Sequence, residues 1–261
     1  MSPTIDSYHV AAKYYDRAYA AMNLVDAPFY VDMAKESGGP VLEIGCGTGR
    51  VLLATARAGI EIHGLDNSAP MFSVLREKIA RENPTVQKKI TLHAGDMRNF
   101  RLNRTFSLVT IPFRPMQHMF TVADQVAALK SAAAHVAEEG ILAFDVFYPK
   151  RDVSQVRIGE ERLEAEWSLD PETVIRRYVR TESVDKIAQN YTLTFIFRTY
   201  RNGQLTTEET DGLKMSYYTY PHLRALFLLV RLESVAEYGS FAKTPLDNTA
   251  EEMIFLLRPT R

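Results

Sequence analysis

A glycine-rich turn at Gly45–Gly49 carries the clearest chemical signal in this sequence. It lies in the segment Val41-Leu-Glu-Ile-Gly-Cys-Gly-Thr-Gly-Arg50, where a short apolar strand pattern is followed by a helical pattern. Gly45 and Gly47 would let the backbone turn tightly and approach a ligand closely. Because α/β folds bind nucleotides at the turn from a first strand to a first helix, the segment predicts a nucleotide-binding loop.

Two carboxylates follow the next two predicted strands. Asp66 stands nineteen residues after Gly47, where a carboxylate can accept hydrogen bonds from both hydroxyls of a ribose. The third strand ends at Gly95-Asp96-Met97, which offers a carboxylate to an exocyclic amine and an apolar side chain to an aromatic base. The spacing predicts that these groups bind one nucleoside together with the loop.

Two ligands compete for this arrangement. A dinucleotide needs a G-x-G-x-x-G spacing and a pyrophosphate at the helix terminus, but the third glycine is replaced by Arg50. Glu43 precedes the loop, and an acid there would favour a cationic ligand over a pyrophosphate. An adenosine that carries an amino acid and a sulfonium is cationic, so the sequence favours S-adenosylmethionine.

Four side chains outside the loop could act on a second substrate. His118 follows the fourth predicted strand and is expected to titrate near neutrality, as a base or as a histidine hydrogen-bonded within a helix start. Tyr15, in the N-terminal helical pattern, could orient an acceptor or simply pack. Arg50 and Arg114 could bind a carboxylate or remain solvated.

Alternating strand and helix patterns indicate the fold that positions these groups. Continuous apolar strands predict a doubly wound, mostly parallel Rossmann-like sheet of the α/β class, preceded by two amphipathic helices. A helix with Val136 on its inner face is predicted to close at Glu139-Gly140. From Arg162 to Tyr218 the pattern is strand-like, and Asn202-Gly203 predicts a hairpin turn.

The sequence therefore predicts three segments. Residues 1–150 hold the N-terminal helices and the ligand-binding core, residues 151–218 form an inserted antiparallel sheet over the substrate pocket, and residues 219–261 add the last helix and strands. The insertion is aromatic, and aromatic faces can hold a sugar ring or an organic cation, although strands also need aromatic residues to pack. Its aromatic residues include Trp167, Tyr178, Tyr191, Phe195, Tyr217 and Tyr218, and Tyr220 follows it.

Three segments together resemble the signature motifs of class I S-adenosylmethionine-dependent methyltransferases. They are Glu-Ile-Gly-Cys-Gly-Thr-Gly-Arg at 43–50, Gly-Leu-Asp-Asn-Ser at 64–68 and Ala-Gly-Asp-Met-Arg at 94–98. The resemblance covers residues 40–150 and, more weakly, the final strands. It implies a seven-stranded sheet and S-adenosylmethionine as methyl donor, with S-adenosylhomocysteine as product.

The resemblance also implies a role for each matching residue. Glu43, Gly45 and the backbone of Cys46 and Gly47, in the loop that ends at Gly49, would hold the methionine portion. The adenosine would lie against Asp66, Asn67, Met71, Asp96 and Met97. The chain from Ile111 to Phe113 would line the methionine arm.

The remaining candidates concern the acceptor rather than the donor. His118 and Tyr15 are the catalytic candidates. The weaker candidates for acceptor binding are Arg50, Arg114, Gln117, Trp167, Tyr191 and Tyr217.

The motif Gly95-Asp-Met-Arg-Asn-Phe and an insertion after the fifth strand resemble small-molecule N-methyltransferases of amino sugars and glycine-like amines. An amine acceptor is therefore expected, and methyl transfer to it would depend mainly on proximity and orientation. The alternatives are an O-methyltransferase with His118 as base, a non-catalytic S-adenosylmethionine-binding protein and, least favoured, a dinucleotide-dependent oxidoreductase.

Composition excludes several other classes of function. The chain of 261 residues has 31 Lys and Arg against 32 Asp and Glu, so no basic excess drives nucleic-acid binding. One cysteine, Cys46, excludes an intrachain disulfide, suits a reducing compartment and leaves no cysteine-rich metal site; no metal is predicted. No apolar run approaches the ~18 residues of a membrane span, and the polar amino terminus lacks a signal core. We expect a cytoplasmic enzyme with a small-molecule partner and neither nucleic acid nor membrane.

Overall fold

The structure, a computed structural model, describes residues 8–22, 24–147, 156–250 and 252–260. The chain divides into two compact units. The small unit consists of Met1–Leu24 and Arg151–Met215, and the large unit of Val25–Lys150 and Ser216–Arg261. The first N-terminal helix therefore groups with the inserted sheet, and the second with the core.

Seven helices, one short 3-10 helix and eleven strands occur in the described residues. In chain order they are α1 (Ala11–Ala21), α2 (Asp26–Ser37), β1 (Val41–Ile44), α3 (Arg50–Arg57), β2 (Ile62–Asp66), α4 (Ala69–Ala80), α5 (Pro84–Gln87), β3 (Ile90–Ala94), β4 (Phe106–Ile111), the 3-10 helix Pro115–His118, α6 (Val122–Ala133), β5 (Val136–Phe147), β6 (Glu161–Asp170), β7 (Thr173–Asp185), β8 (Asn190–Arg201), β9 (Gln204–Ser216), α7 (Tyr220–Val230), β10 (Leu232–Tyr238) and β11 (Glu252–Pro259).

The large unit is built on one seven-stranded sheet, which confirms the predicted fold class. Its strand order is β10-β11-β5-β4-β1-β2-β3. Neighbours from β3 to β5 run parallel, whereas β11 is antiparallel to both β5 and β10. The central strands are apolar because both sheet faces are covered, and the burial of every residue of β1 agrees with this. The carboxyl ends of β1, β2, β4 and β5 consequently meet at one edge of the sheet.

The predicted end of α6 is wrong. The helix stops at Ala133, and Val136 already pairs with Phe106 as the first residue of β5. Gly140 lies within that strand, where a Cβ atom would come within 2.9 Å of the carbonyl oxygen of Phe106. Glycine at this position therefore permits close contact between β4 and β5 at a register shift rather than ending a helix.

Side-chain caps and buried apolar residues fix the other helices of this unit. The side chains of Ser68, Thr121 and Thr219 each accept a hydrogen bond from the backbone at the start of α4, α6 and α7. Such caps satisfy amide groups that have no partner within the helix. Asn83 caps the short α5 in the same way, and its side chain accepts a hydrogen bond from Val86 N.

The small unit is a four-stranded antiparallel sheet with one face packed on α1. Its strand order is β6-β7-β8-β9. The β8–β9 turn is formed by Asn202 and Gly203, both with positive φ, which confirms the predicted hairpin. Tyr14 of α1 stacks on Phe197 at 4.8 Å between ring centroids, and its hydroxyl donates to Glu209. The aromatic residues of this unit thus form a core of its own.

No helix in the described parts of the chain is long and apolar enough to cross a bilayer.

Candidate functional site

The glycine-rich turn joins β1 to α3, and its backbone hydrogen bonds are made within the protein. Gly45 N and Cys46 N donate to Leu65 O at 2.7 and 3.1 Å, and Gly49 N donates to Cys46 O at 2.8 Å. Gly47 N donates to the Asp66 carboxylate at 2.7 Å. A phosphate-binding loop instead aims such N–H groups at its ligand. These four N–H groups are therefore already committed to protein acceptors.

All three glycines of the turn have positive φ. At Gly45, with φ of +73°, a Cβ atom would lie 2.4 Å from Cγ of Pro115. At Gly49 a Cβ atom would lie 2.3 Å from the Leu75 side chain, whereas at Gly47 it would meet no described heavy atom within 4 Å. Close approach requires glycine at Gly45 and Gly49, and the left-handed conformation favours glycine at all three positions.

Asp66, at the end of β2, fixes the turn from the neighbouring strand. Its two carboxylate oxygens accept hydrogen bonds from Gly47 N at 2.7 Å and Ser68 N at 2.8 Å. Burial raises the pKa of Asp66, and the backbone donors partly oppose that shift. An ionised carboxylate offers about four lone-pair positions, so these two bonds leave acceptors for a ligand. Asn67 beside it is exposed, and Met71 in α4 is buried.

Glu43 lies beneath the turn, and its side chain has an acceptor with no partner. The residue is 2% exposed, and among the described residues nothing donates a hydrogen bond to its buried Oε2 atom. Burial raises the pKa of Glu43 to about 8, against the opposing effect of the Arg50 guanidinium. A buried carboxylate without a hydrogen bond is costly, and a cationic or N–H-bearing ligand would relieve that cost.

Asp96, after β3, is held by its own segment. Arg98 donates to both carboxylate oxygens, and its hydrogen bonds and charge lower the pKa of Asp96. Arg98 also binds Asp124 at 2.8 Å. Met97 is buried next to this bend. The predicted contact of Asp96 with an adenine edge stays a prediction, and any such contact would share the carboxylate with Arg98.

The residues after β4 mainly form hydrogen bonds with distant parts of the large unit. Gln117 is 1% exposed, and its amide nitrogen donates to Ser216 O at 2.9 Å. Tyr218 adds a hydrogen bond from its hydroxyl to Met116 O at 2.6 Å. Burial lowers the pKa of His118 to about 4, so the expectation that it titrates near neutrality is wrong. Desolvation disfavours its charged form, which leaves the imidazole neutral at physiological pH.

Arg50 and Arg114 both contact Phe113, and each is paired with an acid of the protein. Arg50 makes a bidentate pair with Asp26 at 2.5 and 2.6 Å, and Arg114 binds Glu252 at 2.9 Å. Their guanidinium carbons lie 5.0 and 5.1 Å from the centroid of the Phe113 ring. Substrate binding by these arginines stays a prediction, and the structure places both in partly buried ion pairs.

Four residues of this region were missed by sequence reasoning, namely Asp26, Tyr30, Asp145 and Glu252. Asp145, on β5, accepts hydrogen bonds from the Tyr30 hydroxyl at 2.6 Å and from Phe113 N at 2.9 Å. The only available signal was an acid inside the apolar segment Phe144-Asp-Val-Phe147. The ion pairs join residues 24 and 138 positions apart, and no local spacing reveals them.

The remaining candidates lie elsewhere in the two units. Tyr15 on α1 packs against Tyr8 and Tyr19, with ring centroids 6.2 and 4.4 Å apart. Trp167 is on β6 and Tyr191 on β8, both partly exposed, and their acceptor role stays a prediction. Ile111 ends β4, and Tyr217, just after β9, is buried.

Comparison with known proteins identifies the domain that carries the loop. Residues 41–140 match the family model described as a methyltransferase domain, which confirms the resemblance over that region. A curated relative from Streptomyces fradiae, named dTDP-3-amino-3,6-dideoxy-alpha-D-glucopyranose N,N-dimethyltransferase, is 37% identical over 108 residues. That match spans 41% of this chain and 39% of the relative.

Two further similarities extend over most of the chain. The cypemycin N-terminal methyltransferase of a Streptomyces species is 23% identical over 220 residues, 84% of this chain and 83% of the relative. A SAM-bound structure of CalS10, an amino pentose methyltransferase of Micromonospora echinaspora involved in calicheamicin biosynthesis, superposes with a TM-score of 0.72. It is 22% identical, covers 94% of this chain and 96% of its own, and at that identity shows the shared fold.

Proposed function

We propose that this chain, whose residues 41–140 match the methyltransferase domain family, is an S-adenosylmethionine-dependent methyltransferase that acts on a small-molecule amine. The observation that carries the proposal is the chemistry of the turn after β1. Four of its N–H groups already have protein acceptors, while the buried Oε2 of Glu43 has no donor among the described residues. The site thus offers a buried carboxyl oxygen that needs a partner, which suits a ligand with an ammonium or a sulfonium but not a pyrophosphate.

Different residues around the turn would bind different parts of the donor. Glu43 and the Gly45–Gly49 turn would hold the methionine portion, Asp66 the ribose hydroxyls, and the Asp96-Met97 bend the adenine edge. S-adenosylmethionine supplies an activated methyl group on a positively charged sulfur. The protein then has to align an acceptor and exclude water, which is mainly a matter of proximity and orientation.

An amine acceptor is supported by the state of His118. A hydroxyl acceptor usually needs a general base, whereas an amine needs at most one proton removed. With a pKa lowered to about 4 by burial, His118 is a weak base, which disfavours the O-methyltransferase alternative. Two of the relatives are named as an N,N-dimethyltransferase of an amino sugar and as an N-terminal methyltransferase, and both names are consistent with an amine acceptor.

The acceptor-binding role of the small unit, with Trp167, Tyr191 and Tyr15, belongs to this proposal. So does a cytoplasmic location, which is supported by the single cysteine. The proposed partner is a small molecule rather than a nucleic acid, since the chain carries no basic excess.

Thermal unfolding and methyl transfer test the proposal in two steps. S-adenosylmethionine and S-adenosylhomocysteine should raise the melting temperature, and NAD should leave it unchanged, because only a ligand that binds the folded state stabilises it. Labelled methyl donor should then label members of an amine panel but not matched polyols. Stabilisation by NAD alone would support an oxidoreductase, and donor binding without transfer to any amine would support a non-catalytic binding protein.

A further inference from the structure

A group of buried and partly buried ionisable side chains, which we call the acidic cluster, lies within the large unit. Asp26 acts electrostatically on both Glu43 and Asp145, Arg50 acts on Glu43 and Glu252 acts on Asp145. The cluster consists of Asp26, Glu43, Asp145, Glu252, Arg50 and Arg114. Asp26 and Glu252 are neutralised by the two arginines. Among the described residues, Glu43 and Asp145 form no ion pair.

Glu43 and Asp145 each retain one buried oxygen without a hydrogen-bond donor. The atoms are Oε2 of Glu43 and Oδ2 of Asp145, in residues that are 2% and 0% exposed. Buried polar atoms in folded proteins nearly always have partners, so two such oxygens in one cluster point to a bound group that carries positive charge or N–H donors. This observation is independent of the number of acids in the cluster.

The strand register places both carboxylates on one face of the sheet, on either side of β4. Glu43 pairs with Thr110, and Thr110 pairs with Ala143, two residues before Asp145. Asp145 also accepts from the backbone N–H of Phe113, in the segment predicted to line the methionine arm. The two acids therefore flank that segment from the β1 and β5 sides.

We propose that Glu43 and Asp145 form a charge-sensing pair that makes the site prefer a cationic donor to its neutral product. The inference rests on the proposed function and names how that same site distinguishes its ligands. S-adenosylmethionine has a positive sulfur, whereas S-adenosylhomocysteine has a neutral thioether and is otherwise identical. A site that loses affinity when the sulfur loses its charge releases product in exchange for fresh donor.

The ionisation of the pair gives this preference a pH dependence. Burial raises the pKa of Asp145 to about 7 and that of Glu43 to about 8. The groups that face Asp145 are Tyr30, Asp26 and Glu252, and those that face Glu43 are Arg50, Asp26 and Asp66. Both acids are protonated below these pKa values and ionised above them, so preference for the cation should strengthen as pH rises.

Calorimetric titration with three probes tests the pair without any turnover. The probes are S-adenosylmethionine, sinefungin, in which an amine-bearing carbon replaces the sulfonium, and S-adenosylhomocysteine. Donor and product share the same amino-acid portion, so its contribution to binding cancels in the ratio of the product Kd to the donor Kd. In the wild type we expect this ratio to rise by ~10-fold from about pH 6 to about pH 8.5, with sinefungin following the donor.

The matched variants separate charge from packing. Asp145→Asn keeps an oxygen that can accept from Tyr30 and Phe113 N but removes the charge, so it should lower the ratio by ~10-fold at the higher pH and flatten its pH dependence. Glu43→Gln should act in the same direction. Glu82→Gln, which alters an exposed ion pair with Arg57, should leave the ratio unchanged. Thermal unfolding of each variant checks that it is folded.

Each result distinguishes the inference from the function on which it rests. Equal loss of affinity for all three probes in Asp145→Asn would make the residue structural and overturn the inference. A wild-type ratio that does not change with pH would overturn it as well, even if the variants fail to fold. Failure of the wild type to bind either donor or product would overturn the proposed function itself.

Discussion

Two loops at the same edge of the large sheet behave differently. The turn after β1 bends tightly, as its glycines predict, with all three at positive φ, and Asp66 holds it by accepting a hydrogen bond from Gly47 N at 2.7 Å. In the segment after β4 the expected titration of His118 near neutrality is wrong, because burial lowers its pKa to about 4, and Gln117 donates a hydrogen bond to Ser216 O. Local backbone geometry can be read from neighbouring residues, whereas the use of a side chain depends on what the tertiary fold brings to it.

The two loops meet at Gly45, and substitution there should have the largest effect. In Gly45→Ala the added Cβ would lie 2.4 Å from Pro115 Cγ, and the residue would also keep a strained positive φ. We expect affinity for S-adenosylhomocysteine to fall by ~100-fold, which calorimetry would measure.

Gly59→Ala is the matched control, because Gly59 has φ of +88° but no described heavy atom within 4 Å of an added Cβ. It carries the backbone strain without the contact. If both variants bound the product equally well, contact between the two loops would have no part in donor binding, and the loops would have to be treated as independent.

Asp66→Ala should have the next largest effect. It removes a charged acceptor for the ribose hydroxyls and the support of Gly47 N, so donor affinity should weaken by ~10-fold or more. Asp66→Asn retains one acceptor oxygen and should lose less. Unchanged affinity in the alanine variant, measured by calorimetry, would remove Asp66 from the site.

His118→Ala should have the smallest effect on donor binding and should instead lower the rate of turnover. We expect a loss of several-fold in rate, with donor affinity unchanged, because in the proposed catalytic role a neutral imidazole would orient the acceptor rather than ionise. With its pKa near 4, His118 should add no ionisation to the rate profile between about pH 6 and 8. An unaltered rate at every pH would reduce the residue to a scaffold.

Stability provides a second measurement on the same variant. The unfolded chain takes up a proton at this histidine near its ordinary pKa of 6.5, whereas the folded protein resists it down to about 4. The fold therefore loses stability as pH falls between these values, and His118→Ala should remove that part of the acid sensitivity. Urea unfolding as a function of pH would detect the difference.

The parts of the fold that could be predicted are those whose signals lie in residues adjacent in the sequence. The strand predicted in the segment from Val41, the last helix predicted within residues 219–261 and the Asn202-Gly203 hairpin all occur in the structure. The exit from α6 was misjudged, because Gly140 is required for contact with Phe106 O rather than for a cap. A glycine after a helical stretch looks the same in the sequence whether it caps the helix or permits contact with another strand. Only the position of the neighbouring strand distinguishes the two roles.

The sequence by itself determined the sheet, the turn of three glycines and the carboxylate at the end of β2, since each depends on residues close together in the chain. Tertiary structure alone decided which charges are left unpaired. Arg50 and Arg114 pair with acids 24 and 138 positions away, and Glu43 and Asp145 are left buried with no ion pair in the described part of the chain. Burial and pairing are properties of the packed interior, where removal from water makes an unpaired charge costly, and no spacing along the chain encodes them.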